Sequence, residues 1–359
     1  MSRAPMMIDW DLAVSTASRL AGPGPAVGRS QAEAVVAELR EGARRSTPLV
    51  REFTGLVAPE QTDRQTPVLV VDRSGWIRAN ANGFAEVIGP LIEKLQQKRG
   101  APSPAIEAVG SKVTGLEVGG LLGFMSGKVL GQFDPFYAPD HGSAAVGRML
   151  LVAPNIVHVE RELNVVPADF RLWVCLHEET HRVQFTAVPW LGDHIRSEIE
   201  RLVEAIDLDP GRVAAVLGEA ARRLGDIIRG REDVSIIDLL STPAQRETMD
   251  RLTGVMSLLE GHADVVMDGV GPEVIGTVAD IRRKFNRRRQ GAGYLDRLLR
   301  RLLGLDAKMA QYRDGASFTR FVVDKVGMAG FNRVWSSPET LPAKAEILDP
   351  MAWVRRVHG

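Results

Sequence analysis

Only one cysteine occurs in 359 residues, Cys175. An internal disulfide is therefore impossible, which fits a reducing compartment. Nor is either charge in excess: 45 basic residues face 45 acidic ones, so no overall field favours nucleic acid, an anionic membrane or an acidic substrate. No run reaches the roughly 18 to 20 consecutive apolar residues that span a bilayer. The opening MSRAPMMIDWDLA lacks the apolar core of a secretory signal. These absences set the expectation of a cytoplasmic protein with no membrane span and no nucleic-acid partner. What is present is an ordinary globular share of hydrophobic residues, 45%, in a chain long enough for one large core or two.

Helical periodicity dominates the chain. Trp10 to Val57 reads as two helical segments broken at AGPGPAVG, and PVLVVDRSGW reads as a short strand or a helix lead-in. Further helix is expected from Asn82 to Lys98, with a break or kink at Pro90. Glycines then recur at 115, 119, 123, 127 and 131. On a helix a step of four returns to nearly the same face, so these would form a flat strip that admits a neighbouring backbone. GRMLLVAPNIVHV carries the strongest strand signals, interrupted by Pro154 and Asn155. From Ser197 to Val326 the chain reads as almost continuous helix, and the tail SSPETLPAKAEILDPMAW as proline-punctuated loop packed through Trp335 and Trp353. The expected organisation is a helical N-terminal region, 1–110, followed by a second domain, 111–359, that holds the motifs described below, with one continuous domain as the alternative.

The chemistry is concentrated in VCLHEETHRVQF, Val174 to Phe185. At 100° per residue His177 and His181 lie about 40° apart and one turn up the axis, so both imidazoles can reach one ion. Glu178 sits on the adjoining flank, where its carboxylate can meet a water held by that ion without being a ligand. This is the physical content of H-E-x-x-H: two zinc ligands and a general base on one rigid element. The competing reading is a pair of core histidines bonded to carbonyls. Glu179 sits awkwardly, because the common extended form of the motif has uncharged residues at both x positions.

A catalytic zinc site usually takes three protein ligands. His141, His158, His194, His262 and the carboxylates are candidates for the third. MSLLEGHADVVMD, Met256 to Asp268, stands out, on a helix that Thr242 would cap with Pro243 in the first turn and Gln245 completing a capping box. Ser257, Glu260, Asp264 and Asp268 fall on one side of it within about 80°. Glu260 can complete the metal shell, and Asp264, one turn on, can accept the second ring N–H of a ligand histidine. His262 lies about 200° round from Glu260, which suits a packed core histidine, with a ligand in place of Glu260 or an oxyanion donor as the alternative. The other reading of the acidic stripe is a solvated helix face.

On these residues, together with PNIVHVER, PWL, AKMAQYRDG and a tail of the form LP...EI..P..W, the chain resembles an uncharacterised bacterial family of zincin-like metallopeptidases, some of whose members stand beside genes for a deazaflavin coenzyme. The resemblance runs from Pro154 to Trp353. It implies a zincin-like α+β core within a mostly helical protein; with the strand signals and the helical N-terminal region read above, the expected fold is α+β, predominantly helical, with a small sheet. It also implies zinc at His177 and His181 with Glu178 as base. The metzincin variant is excluded, since Gln184 and Ala187 occupy the positions of its glycine and third histidine.

The expected activity is that of a zinc-dependent hydrolase, a metallopeptidase acting on a peptide or protein, with Zn2+ held by His177, His181 and Glu260. A metal-stabilised scaffold without turnover and a non-peptide zinc hydrolase are the alternatives. Two further features carry less. RRKFNRRRQGAG, Arg282 to Gly293, reads as a solvated or carboxylate-pairing helix end. Tyr137, Tyr294 and Tyr312 are candidate oxyanion donors.

Overall fold

The computed structural model describes residues 8–99, 104–139, 146–204, 243–290 and 305–359. Its contacts divide the chain into two compact units. The first takes residues up to Gly192 together with Val266–Asn286, and the second takes Asp193–Val265 and Arg287–Gly359.

In the first unit, α1 (Trp10–Leu20) starts under an Asp9 cap whose side chain accepts from Leu12 N at 2.9 Å. α2 (Arg29–Thr54) ends at Gly55 in the left-handed region. After α3 (Glu60–Gln65) comes β1 (Val68–Val71), which resolves PVLVV as a strand. α4 (Arg73–Arg99) begins nine residues before the expected Asn82 and stays helical through position 90. The reason for the early start is Asp72, whose carboxylate accepts from Gly75 N at 2.6 Å.

α5 (Pro104–Ser126) follows, and it packs on α1 through the glycine strip. A Cβ at Gly115 would stand 2.7 Å from Asp9 O, and one at Gly119 2.7 Å from Ala13 O. The two backbones approach too closely for any side chain between them. The helix stops at Ser126, so Gly127 lies in a turn and Gly131 opens β2 (Gly131–Asp134) instead of extending the strip.

β3 (Arg148–Val152) is buried along its whole length and forms the middle of a three-stranded sheet ordered β1-β3-β2. β1 pairs with it in parallel, Val68 opposite Met149, and β2 antiparallel, Gly131 opposite Leu151. The expected strand does not continue past Pro154. Pro154 occupies the first turn of α6 (Ala153–Leu163), where its missing N–H costs nothing. Asn155 is fully buried and donates to Ser126 O and Val129 O at 2.7 Å, while accepting from Arg73 Nε at 2.8 Å. It is therefore a core linker between three segments.

α7 (Pro167–Ala187) lies along α2 and against β2 and β3. The remaining helices are α8 (Trp190–Glu204), α9 (Pro243–Val274), α10 (Val278–Gln290), α11 (Leu305–Phe331, interrupted at Gly327), α12 (Lys344–Leu348) and α13 (Pro350–His358). α9 is one helix that begins in the second unit and ends in the first. The expected cap at Thr242, and the helix read across 205–242, lie outside the described residues.

In the second unit the tail is helical where loop was expected. Asp349 caps α13 by accepting from Ala352 N, and Trp353 is fully buried, donating to Thr340 O at 2.8 Å and packing edge-on to Phe318. Proline here starts a helix at its first turn, Pro350 in α13, as readily as it punctuates a loop.

Candidate metal centre

α7 is anchored at its start. Pro167 fits the first turn, and Asp169 accepts from Thr277 N at 3.0 Å and from Thr277 Oγ1 at 2.6 Å. That bond ties α7 to the turn between α9 and α10. Val266, Met267 and Val270 of α9 share a core with Phe170, Trp173 and Val174 of α7. Phe285 of α10 seals it, with its ring 4.9 Å from that of Trp173. The end of α9 is thus held against the histidine-bearing side of α7.

His177 Nδ1 stands 3.3 Å from Met267 Sδ, and His181 Nδ1 stands 2.9 Å from Gln184 Oε1. These contacts lie on the Nδ1 side of each ring and hold its orientation. The two Nε2 atoms face each other at 3.2 Å, with the rings nearly perpendicular. Two nitrogens on one tetrahedral zinc, each about 2.0–2.1 Å from it, would stand roughly 3.3 Å apart. The spacing of the pair is compatible with one shared ion.

Glu260 is the third residue of the cluster. It lies seven residues before Met267 on the unbroken α9, two turns away on the same face. One ligand atom each from His177, His181 and Glu260 lies within 4.8 Å of the others, and all three residues are half-buried. Two imidazoles and a carboxylate are the donor set of a zinc hydrolase site, and the three residues fit that ion. Among the described residues no other group of histidine, cysteine and acidic side chains gathers in this way.

Glu178 is buried, and its side chain lies along Gly131 of β2. Glu179, the awkward x position, is fully buried on the far side of the helix, where Arg182 grips both its oxygens at 2.8 and 2.9 Å and also donates to Thr47. Its charge is neutralised within one turn and is directed away from the histidines. Phe185, one turn beyond His181, stacks on Phe133 of β2 with centroids 5.5 Å apart.

The other candidates are dispersed. His262 is fully buried in the second unit, stacked on Phe331 at 5.3 Å and edge-on to Trp335 at 5.6 Å. His158 faces Glu162 at 3.8 Å. His194 is partly buried, and desolvation holds its pKa down. Tyr137 lies beneath the Arg148 guanidinium, 4.4 Å away. His141 and the side chains of Tyr294 and Tyr312 lie outside the described residues. Asp264 stands on α9 between Glu260 and Met267. Asp268, at the end of the acidic stripe, pairs with Arg282 at 2.7 Å, while Arg283 and Lys284 pair with Asp280.

Sequence reasoning passed over Gln184 and Met267, the groups that face the second ring nitrogens. Both stood at readable spacings, Gln184 three residues after His181 and Met267 seven after Glu260. Neither is a residue type that advertises metal chemistry.

The profile of the zincin-like metallopeptidases matches residues 8–354, nearly the whole chain. The chain belongs to this zincin-like metallopeptidase family. Membership implies zinc binding, and it brings the α+β, mostly helical architecture expected from the sequence. This zincin-like protein is also similar, at 30% identity, to a crystal structure from Chloroflexus aurantiacus described as a candidate hydrolase with a novel fold. The match covers 98% of this chain and 99% of that one with a TM-score of 0.68. None of the curated proteins matches the chain. Among the described residues no helix of this zincin-like protein is long and apolar enough to cross a membrane.

Proposed function

We propose that the protein is a zinc-dependent peptidase in which His177, His181 and Glu260 hold the ion and Glu178 is the general base. The observation that carries this reading is the cluster itself: two imidazole Nε2 atoms 3.2 Å apart, and ligand atoms of His177, His181 and Glu260 all within 4.8 Å of one another. Zinc bound there would supply a Lewis acid that polarises a carbonyl and makes water acidic near neutral pH.

The chain's own groups divide the remaining work. Met267 and Gln184 contact Nδ1 of the two imidazoles and orient the rings so that Nε2 of each would be the metal ligand. The carboxylate of Glu178 takes the proton from the attacking water and delivers it to the nitrogen of the leaving amine. Burial of Glu178 strengthens this role by excluding bulk water from its carboxylate. β2, the outer strand on this side of the sheet, runs beside Glu178 and offers a backbone edge to an extended peptide.

The test pairs metal analysis with cleavage of a mixed pool of internally quenched peptides by wild type and Glu178→Gln. The reading expects one zinc per chain in both proteins and hydrolysis only by wild type. Wild-type protein that holds zinc and cleaves nothing across the pool would instead favour a metal-stabilised protein without peptidase turnover.

A further inference from the structure

We infer that Gly131 is the residue that positions Glu178. A Cβ placed on Gly131 would lie 2.4 Å from Glu178 Cγ, 2.6 Å from Cδ and 2.7 Å from Oε1. All three nearest atoms belong to that one side chain, from stem to carboxylate. The volume that any other residue's Cβ would occupy is filled by Glu178.

The backbone gives no reason of its own for glycine here. Gly131 is not among the residues with positive φ, and it sits in a regular antiparallel pair opposite Leu151. Every L-residue adopts that conformation, and most form a strand better than glycine does. The neighbouring strand residues are committed elsewhere: Gln132 accepts from Trp76 Nε1 and donates to Asn80 Oδ1, and Asp134 holds Arg148. What glycine provides at this point is an absence of side chain, and the side chain that uses it is the glutamate of H-E-x-x-H. A methyl group at 131 would push Glu178 off the strand and turn its carboxylate away from the direction it now takes. The strand edge thereby sets the angle of the base, a role distinct from holding metal.

This inference rests on Glu178 as the proton acceptor, and its test separates the two. Gly131→Ala, Glu178→Ala and the double variant are compared for zinc content, thermal midpoint and turnover of the quenched peptide pool. Gly131→Ala should lower the thermal midpoint in the native background and leave it nearly unchanged in the Glu178→Ala background, where no Cγ remains to collide. Zinc content should stay at the wild-type level. Turnover should fall about 100-fold or more, the scale of a misplaced general base, with the loss in kcat and not in KM. If Gly131→Ala does not fold, the double variant should. An equal drop of the midpoint in both backgrounds, or a double variant that also fails to fold, overturns the inference, as does wild-type kcat in Gly131→Ala. If wild type itself cleaves no peptide, the peptidase reading fails, and the coupling of the two midpoints still decides the role of Gly131.

Discussion

Glu178 and Glu179 are adjacent on α7, about 100° apart, and the two faces they belong to are built in opposite ways. On the side toward α2 every strong group is closed on a partner. Arg182 holds Glu179 and Thr47; Arg171 takes Glu160 through two bonds and Glu38 through a third; Cys175 Sγ approaches Leu39 O at 3.5 Å. On the other side the histidines use one nitrogen each to lock their orientation and aim the second at a common point. Polar groups closed on one another specify structure, whereas polar groups that converge on one point specify a ligand. The same residue type serves either purpose, and the rotation about one helix axis decides which.

Removing one charge from each face should separate these roles. Glu178→Gln is expected to have the largest effect, a loss of about 10²–10⁴ in hydrolysis of whichever peptide wild type cleaves, with zinc content and thermal midpoint unchanged. On the closed face Arg182→Ala strands a buried carboxylate and should cost about 3–5 kcal/mol, a fall in thermal midpoint on the order of 10 °C, while the folded fraction still binds zinc. Calorimetry alongside metal analysis distinguishes the two outcomes, and a reversal of the pattern would break the comparison.

Gln184→Ala removes the side-chain amide that orients His181 and should weaken zinc binding about 10–100-fold, measured by competition with a chromophoric chelator. The smallest effect belongs to Cys175. Desolvation, with Glu178 and Glu179 nearby, drives its pKa far above the usual thiol range. The protonated form is the inert one. A thiol reagent at neutral pH should leave it unlabelled until the protein is unfolded, and rapid labelling of native protein would show that the α2 side of α7 is open.

Much of this was legible in the sequence because it is local. The apolar period of α1, α2 and α7, the H-E-x-x-H spacing and the stripe that singles out Glu260 are all patterns within one helix. What escaped was set at long range or by a single capping group. Valine and isoleucine after β3 read as strand, but Pro154 at a first turn and the buried amide of Asn155 make that segment α6. Asp72 starts α4 earlier than its apolar pattern shows. Glu179 seemed to count against the motif until Arg182 and Thr47 accounted for its charge. Gly131 was read as the last of a helical series, and only the strand beside α7 gives it meaning. Its contact with Glu178 spans 47 positions of chain, which no local periodicity can encode.

The central claim, that the converging face of α7 is a metal site, is tested most directly by elemental analysis of wild-type and His177→Ala protein after dialysis. Structural zinc binds with apparent free energies of about 10–16 kcal/mol shared among its ligands, so losing one ligand should weaken binding on the order of 100-fold. The account predicts one zinc per wild-type chain and a substoichiometric residue in the variant. Wild-type protein without stoichiometric metal, or a variant that retains as much as wild type, would contradict it.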